Sequence, residues 1–183
     1  MRFNLTSHIS YFKVFLLFFI YASLCTILSG CSIMSRIVIA KDPLSAKEHA
    51  DLASIYEEKG EYDLAIKEAE EALNNDPGNL KALISIGNSH LQKGEYKKAG
   101  RYYKKALKLD PKNGDLLNNM AMLYLSTGKT EEAEKLAKEA ISANPYHLGY
   151  YYDTLGKIYE RMGRDKEASD AFDKAREMLN DGR

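Results

Sequence analysis

The sequence predicts an all-α solenoid of four helix–turn–helix units, set behind an apolar N-terminal segment. Three observations predict it. Pro43, Pro77, Pro111 and Pro145 recur every 34 residues. Gly60, Gly94 and Gly128 keep that spacing and Gly163 follows at 35, as do Ala65, Ala99, Ala133 and Ala168. No stretch sustains the period-2 alternation of a half-buried strand, so no sheet is expected.

The first thirty residues differ in kind from the rest. They hold five of the six Phe and no acidic residue. Arg2 and Lys13 are their only strong bases, followed by an apolar run of 15 residues from Val14 to Leu28. A spanning helix needs ~20 apolar residues, whereas a secretory core needs only ~7–15. Residues 1–30 are therefore expected to be a signal peptide. Leu28-Ser29-Gly30-Cys31 follows directly and resembles the lipobox of bacterial lipoproteins. That resemblance implies cleavage before Cys31 and acylation of its thiol, anchoring the mature chain in a membrane. Ser32, rather than Asp, resembles the class sorted to the outer membrane, which implies its periplasmic face. Residues 31–45 are then an acylated tether. Its apolar residues Ile33, Met34, Ile37, Val38 and Ile39 suit packing near the first helix, the favoured reading, or the membrane interface, or a short strand with a partner.

Composition excludes several classes. In 183 residues the 26 Lys+Arg balance the 26 Asp+Glu, so no strongly basic nucleic-acid footprint exists. Cys25 falls in the expected signal and Cys31 in the acylation site, leaving no thiol for a disulfide framework or a metal.

The units are read as residues 46–79, 80–113, 114–148 and 149–182. In the first, Leu52, Ala53 and Tyr56 form one apolar stripe, and Gly60 suits a left-handed helix end. Ala65, Ala69 and Ala72 then let the second helix press close. Asp76-Pro77-Gly78-Asn79 and Asp110-Pro111-Lys112-Asn113 are turns that cannot continue a helix. The fourth unit carries one extra residue near His147-Leu148-Gly149.

These residues resemble the tetratricopeptide repeat over about residues 46–180. Leu83, Ile86-Gly87, Gly94, Tyr96, Ala99, Tyr103, Ala106 and Pro111 carry the likeness in the second unit. Leu117, Met120-Ala121, Tyr124, Gly128, Ala133 and Ala140 carry it in the third. Tyr152, Leu155-Gly156, Tyr159, Gly163, Ala168, Phe172 and Ala175 carry it in the fourth. His49 and His90 stand where the family has large aromatics. The resemblance implies a right-handed superhelix that binds proteins rather than an enzyme. No polar capping helix follows Ala175, so Phe172, Met178 and Leu179 are expected to be poorly covered, as a frayed end, a homodimer contact or a partner contact.

No catalytic signature is present. HExxH, CxxC, GxGxxG, Walker and GxSxG patterns are all missing. His90 is read as filling a packing slot. The acids of Glu131, Glu132, Glu134 and Glu139 interleave with Lys135 and Lys138 as a solvated face. No cofactor and no metal are expected. Among the tyrosines around the insertion, Tyr152 fits the packing stripe, so Tyr146, Tyr150 and Tyr151 are expected to point away from the core.

In the family the first helices line a concave groove. Projected here, Lys47, Ala50, Ser54 and Glu57 face it from the first unit, and Lys81, Ile84, Asn88 and Leu91 from the second. Asp115, Asn118, Met122 and Leu125 follow, then Tyr150, Asp153, Lys157 and Glu160. The expected partner-binding residues are Ile84, Asn88, Leu91, Asn118, Met122, Leu125, Tyr150, Asp153 and Lys157. Asn amides can both donate to and accept from a peptide backbone. Ala50 and Ser54 stand where the family's chaperone clamp needs Lys and Asn, which argues against chaperone docking. The expectation is a lipid-anchored envelope scaffold holding an envelope protein or peptide, with no nucleic acid. It resembles repeat lipoproteins that assist type IV pilus or secretin assembly. The alternative is an adaptor for an envelope peptidase, peptidoglycan hydrolase or polysaccharide export system.

Overall fold

The computed structural model describes residues 43–144 and 146–181, which form eight α-helices and no strand. They come in four pairs: α1 (Ala46–Glu58) with α2 (Tyr62–Asn75), α3 (Leu80–Gln92) with α4 (Tyr96–Leu109), α5 (Gly114–Ser126) with α6 (Thr130–Ala143), and α7 (Leu148–Arg161) with α8 (Asp165–Asp181). Each helix packs on its chain neighbours. The first helices of successive pairs also meet, α1 with α3, α3 with α5, and α5 with α7. The expected all-α architecture of four helix–turn–helix units is therefore what forms. Cys31, the signal segment and the apolar stretch Ile33–Ile39 lie outside the described residues.

Local chemistry fixes the ends of the helices. Ser45 and Glu48 form a reciprocal capping box at α1. Asn79 and Asn113 cap α3 and α5 by accepting from Ala82 N and Leu116 N, each at 3.0 Å. Each first helix stops at a left-handed glycine, with φ of 75° at Gly60, 72° at Gly94, 77° at Gly128 and 71° at Gly163. The next amide then closes back five residues, as Glu61 N donates to Tyr56 O at 2.9 Å. The extra residue of the fourth unit lengthens α7 to 14 residues, against 13 for α1, α3 and α5. There His147 takes the capping place without a side-chain bond.

The core is solved in two ways. In the first and third pairs, buried Ala53 and Ala121 on the first helix stand at the places equivalent to Gly87 and Gly156. Ala69 and Ala137 on the second helix stand at those of Tyr103 and Phe172. In the second and fourth pairs the first helix has glycine and the second an aromatic ring. A Cβ on Gly87 would lie 2.3 Å from Tyr103 Cε1, and one on Gly156 would lie 2.6 Å from Phe172 Cε1. Either combination lets the two backbones approach closely at native packing density.

Two expectations need correction. Phe172 is half-buried against Leu155, Ile158 and Tyr159, and Leu179 lies over Gly149, where a Cβ would meet its Cγ at 2.6 Å. The last helix therefore seats Phe172 on α7, while Met178 at 40% and Leu179 at 41% stay exposed as expected. Tyr151, expected to point outward, is 1% exposed and is the deeply buried tyrosine of its cluster, whereas Tyr152 is half-buried. The reason is Gly114. Its missing side chain leaves room for the Tyr151 ring to cross to α5, where the hydroxyl donates to Asp115 Oδ1 at 2.6 Å.

Candidate functional site

The face carried by α1, α3, α5 and α7 holds a continuous polar network. Glu57 of α1 accepts at Oε2 from Ser85 Oγ at 2.9 Å and at Oε1 from Asn88 Nδ2 at 2.7 Å. Asn88 Oδ1 in turn accepts from Tyr103 OH at 2.7 Å and from Asn119 Nδ2 at 2.9 Å. Three first helices are thus tied through one amide. The two donors on Asn88 Oδ1 fix the orientation of its amide, so Nδ2 must face Glu57. Burial, followed by the nearby Glu57 charge, pushes the Tyr103 phenol far above its ordinary range, so it stays a donor. Burial likewise raises the Glu57 carboxyl, against the opposing hydrogen bonds of Asn88 and Ser85.

Two clefts open on this face. One of about 590 Å³ lies between α1 and α3 and is walled by Ser54, Glu57, Ile84, Ser85 and Asn88. Another of about 520 Å³ lies between α5 and α7, bounded by Tyr96, Leu125, Ser126, Lys157, Glu160 and Arg161. Of the residues expected to bind a partner, Ile84 and Asn88 line the first cleft, and Leu125 and Lys157 line the second. Asn118 and Met122 are half-buried on α5. The Asn118 side-chain carbonyl is buried with no hydrogen-bond partner among the described residues. Leu91 is half-buried against the core around Tyr103.

Tyr150 and Asp153 line neither cleft. Tyr150 is 62% exposed and sits edge-on to His147, with ring centroids 6.3 Å apart. Asp153 pairs with Lys157 at 2.7 Å along α7. Asn88 lines the first cleft with its carbonyl doubly engaged and one of its two N–H donors given to Glu57 inside the protein.

Sequence reasoning missed Ser85, Asn119 and the hydroxyl of Tyr103. A signal was present. Asp51, Ser85, Asn119 and Thr154 occupy one repeat position, and all four are polar. Asp51 serves the same end, accepting from Lys81 of the next first helix at 2.7 Å. In the first three units the position links neighbouring units, through Asp51–Lys81, Ser85–Glu57 and Asn119–Asn88.

The histidines are built into the framework. His49 Nδ1 bonds Glu68 Oε2 at 2.9 Å. His90 stacks on Tyr102 with centroids 5.7 Å apart, and its Nδ1 lies 2.8 Å from Glu95 Oε2. Burial lowers the His90 pKa, against the pull of Glu95, which favours the neutral ring. His147 Nδ1 joins Asp115 Oδ1 at 2.7 Å. Among the described residues no group of three or more His, Cys, Asp or Glu could hold a metal ion. No described helix is long and apolar enough to cross a membrane.

Comparison with known proteins agrees with the geometry. Three family models, each described as tetratricopeptide repeat, match residues 36–79 and 50–114, residues 90–158, and residues 149–178. No curated protein matches the sequence. Among solved structures, MamA is similar at 23% identity and a TM-score of 0.64, over 79% of this chain and 84% of that one. The PilF structure from Pseudomonas aeruginosa is similar at 24% identity and a TM-score of 0.67, over 73% of this chain and 60% of that one. A thermophilic repeat protein of Thermus thermophilus is similar at 20% identity and a TM-score of 0.69, over 75% of this chain and 76% of that one. At these identities the likeness shows the shared fold.

Proposed function

The chain belongs to the tetratricopeptide repeat family, and on that premise we propose that it is a non-enzymatic scaffold. It binds a protein or peptide along the face of its first helices. The observation that carries this reading is the placement of Ile84, Asn88, Leu125 and Lys157 in two clefts of one face. On α5, Asn118 carries a buried side-chain carbonyl that lacks a donor among the described residues. Apolar walls with a few oriented polar groups are what an extended segment requires.

The proposal extends to the envelope. Cys31 carries an acyl anchor that holds the repeats at the periplasmic face of the outer membrane, where the partner is another envelope protein. Assembly of a machine of the pilus or secretin kind fits such a tethered groove. Support comes from the charged start, the 15-residue apolar run and the Leu28–Cys31 pattern.

The test is capture from membranes by the full chain, beside a Leu125→Glu/Lys157→Glu variant. Asn88 is avoided as a probe because it ties the fold together. A protein held by the wild type and lost by an equally helical variant is the expected outcome. Equal capture by both would overturn the groove reading. Palmitate labelling that survives Cys31→Ser would separately overturn the anchor.

A further inference from the structure

The Glu57 carboxylate is half-buried in the cleft between α1 and α3 and makes no ion pair with any described residue. Ser85 and Asn88 occupy only two of its roughly four acceptor positions. The charge that acts on it most closely is Glu58, of the same sign. Lys81, which also borders the cleft, is engaged by Asp51 at 2.7 Å. The carboxylate is nonetheless held in place, because Tyr103 and Asn119 lock the amide that orients it. A half-buried charge, with fixed neutral donors and no counter-ion among the described residues, is a costly arrangement for stability alone.

We propose that the cleft receives a basic side chain, lysine or arginine, of the segment bound in the groove, with Glu57 as its counter-ion. An ammonium or guanidinium can take the free acceptor positions in charge-assisted bonds. Ile84, Leu80 and Tyr62 border the same cleft and offer apolar surface for the aliphatic stem. The cleft opens on the face that carries Asn118, Met122 and Leu125, so the basic residue belongs to a longer segment rather than to a free small cation. This inference rests on the groove reading above and adds the chemistry of one of its subsites.

The experiment selects a displayed random nonapeptide library on the full chain in detergent micelles, then measures the selected peptides by fluorescence anisotropy. Three proteins are compared: wild type, Glu57→Gln and Leu125→Glu. The expected result is a Lys or Arg at one fixed position of the selected peptides. Replacing it by norleucine should weaken binding to wild type by about 10- to 100-fold and leave binding to Glu57→Gln unchanged. Leu125→Glu should weaken basic and norleucine peptides alike. Selected peptides that lose binding to Leu125→Glu but show no fixed basic position would overturn this inference and leave the groove intact. Equal norleucine penalties on wild type and Glu57→Gln would also overturn it. A selection that enriches nothing would overturn both readings.

Discussion

Tyr103 fills the space that Gly87 leaves by having no side chain, and its hydroxyl passes beneath α3 to donate to Asn88 Oδ1 at 2.7 Å. The ring is 0% exposed. A contact inside the second pair thereby organises a face used by three. The fourth pair repeats the packing with Gly156 and Phe172. There the ring lacks a hydroxyl, and the residue following the glycine is Lys157 instead of an asparagine.

Gly87→Ala should therefore destabilise the protein by overpacking, by about 1–3 kcal/mol. Tyr103→Ala should cost about 3–5 kcal/mol through the cavity it leaves. Together they recreate the alanine pair seen at Ala53 and Ala69. Their effects should then fall short of additive by about 0.5–3 kcal/mol. Urea unfolding of the two single variants and the double variant measures this, and simple additivity would refute the pairing.

Gly128→Ala should cost about 1–2 kcal/mol for another reason. No heavy atom lies within 4 Å of a Cβ built there, but the backbone holds φ at 77°. Asn at the same position, which tolerates the left-handed region, should recover part of the loss. Thermal unfolding of both variants separates backbone strain from the steric effect expected at Gly87.

Asn88→Ala should cost about 1–3 kcal/mol, because it strands the Tyr103 hydroxyl and removes a donor from Glu57. Tyr103→Phe should cost about 1 kcal/mol or less, since Asn119 still serves Asn88 Oδ1. Equal losses from the two changes, measured by denaturant midpoints at constant slope, would show that the network does not act through Asn88.

Glu57 makes stability depend on pH in an unusual sense for a carboxylate. Burial raises its folded-state pKa above the ordinary glutamate value. The folded protein then holds the proton more tightly than the unfolded chain does. That contribution is complete below the ordinary value and is lost as pH rises through the folded-state value. Glu57→Gln lacks the ionisation. Its unfolding midpoint should therefore gain on the wild type as pH rises from about 4 to about 7, then level off. A difference constant across that range would show that Glu57 titrates as an ordinary exposed acid.

Asp115 joins the third and fourth pairs, accepting from both His147 and Tyr151. Asp115→Ala should loosen α7 against α5 and cost about 1–3 kcal/mol, because the Tyr151 hydroxyl is buried with its ring. In hydrogen exchange the added exposure should concentrate in α7 and α8 and spare α1 to α3. Uniform exposure along the chain would contradict a local link.

The 34-residue period, the proline and glycine punctuation and the alanine rows were enough to establish eight helices in four pairs. Each of those signals acts within one unit: a left-handed glycine ends a helix, a proline bars its continuation, and small residues admit a close neighbour. The period also placed Ile84, Asn88, Leu125 and Lys157 on a shared face. Contacts that depend on volume exchanged between units were decided by the tertiary structure. Whether Tyr151 or Tyr152 turns inward depends on the space above Gly114, 37 residues from Tyr151. Whether Asn88 is free to meet a ligand depends on Tyr103 and Asn119 arriving from two other helices. Periodicity encodes which way a side chain points relative to its own helix axis. Which atoms wait there is determined only when the neighbouring helices close and fill the space, because hydrogen bonds and packing are satisfied across units.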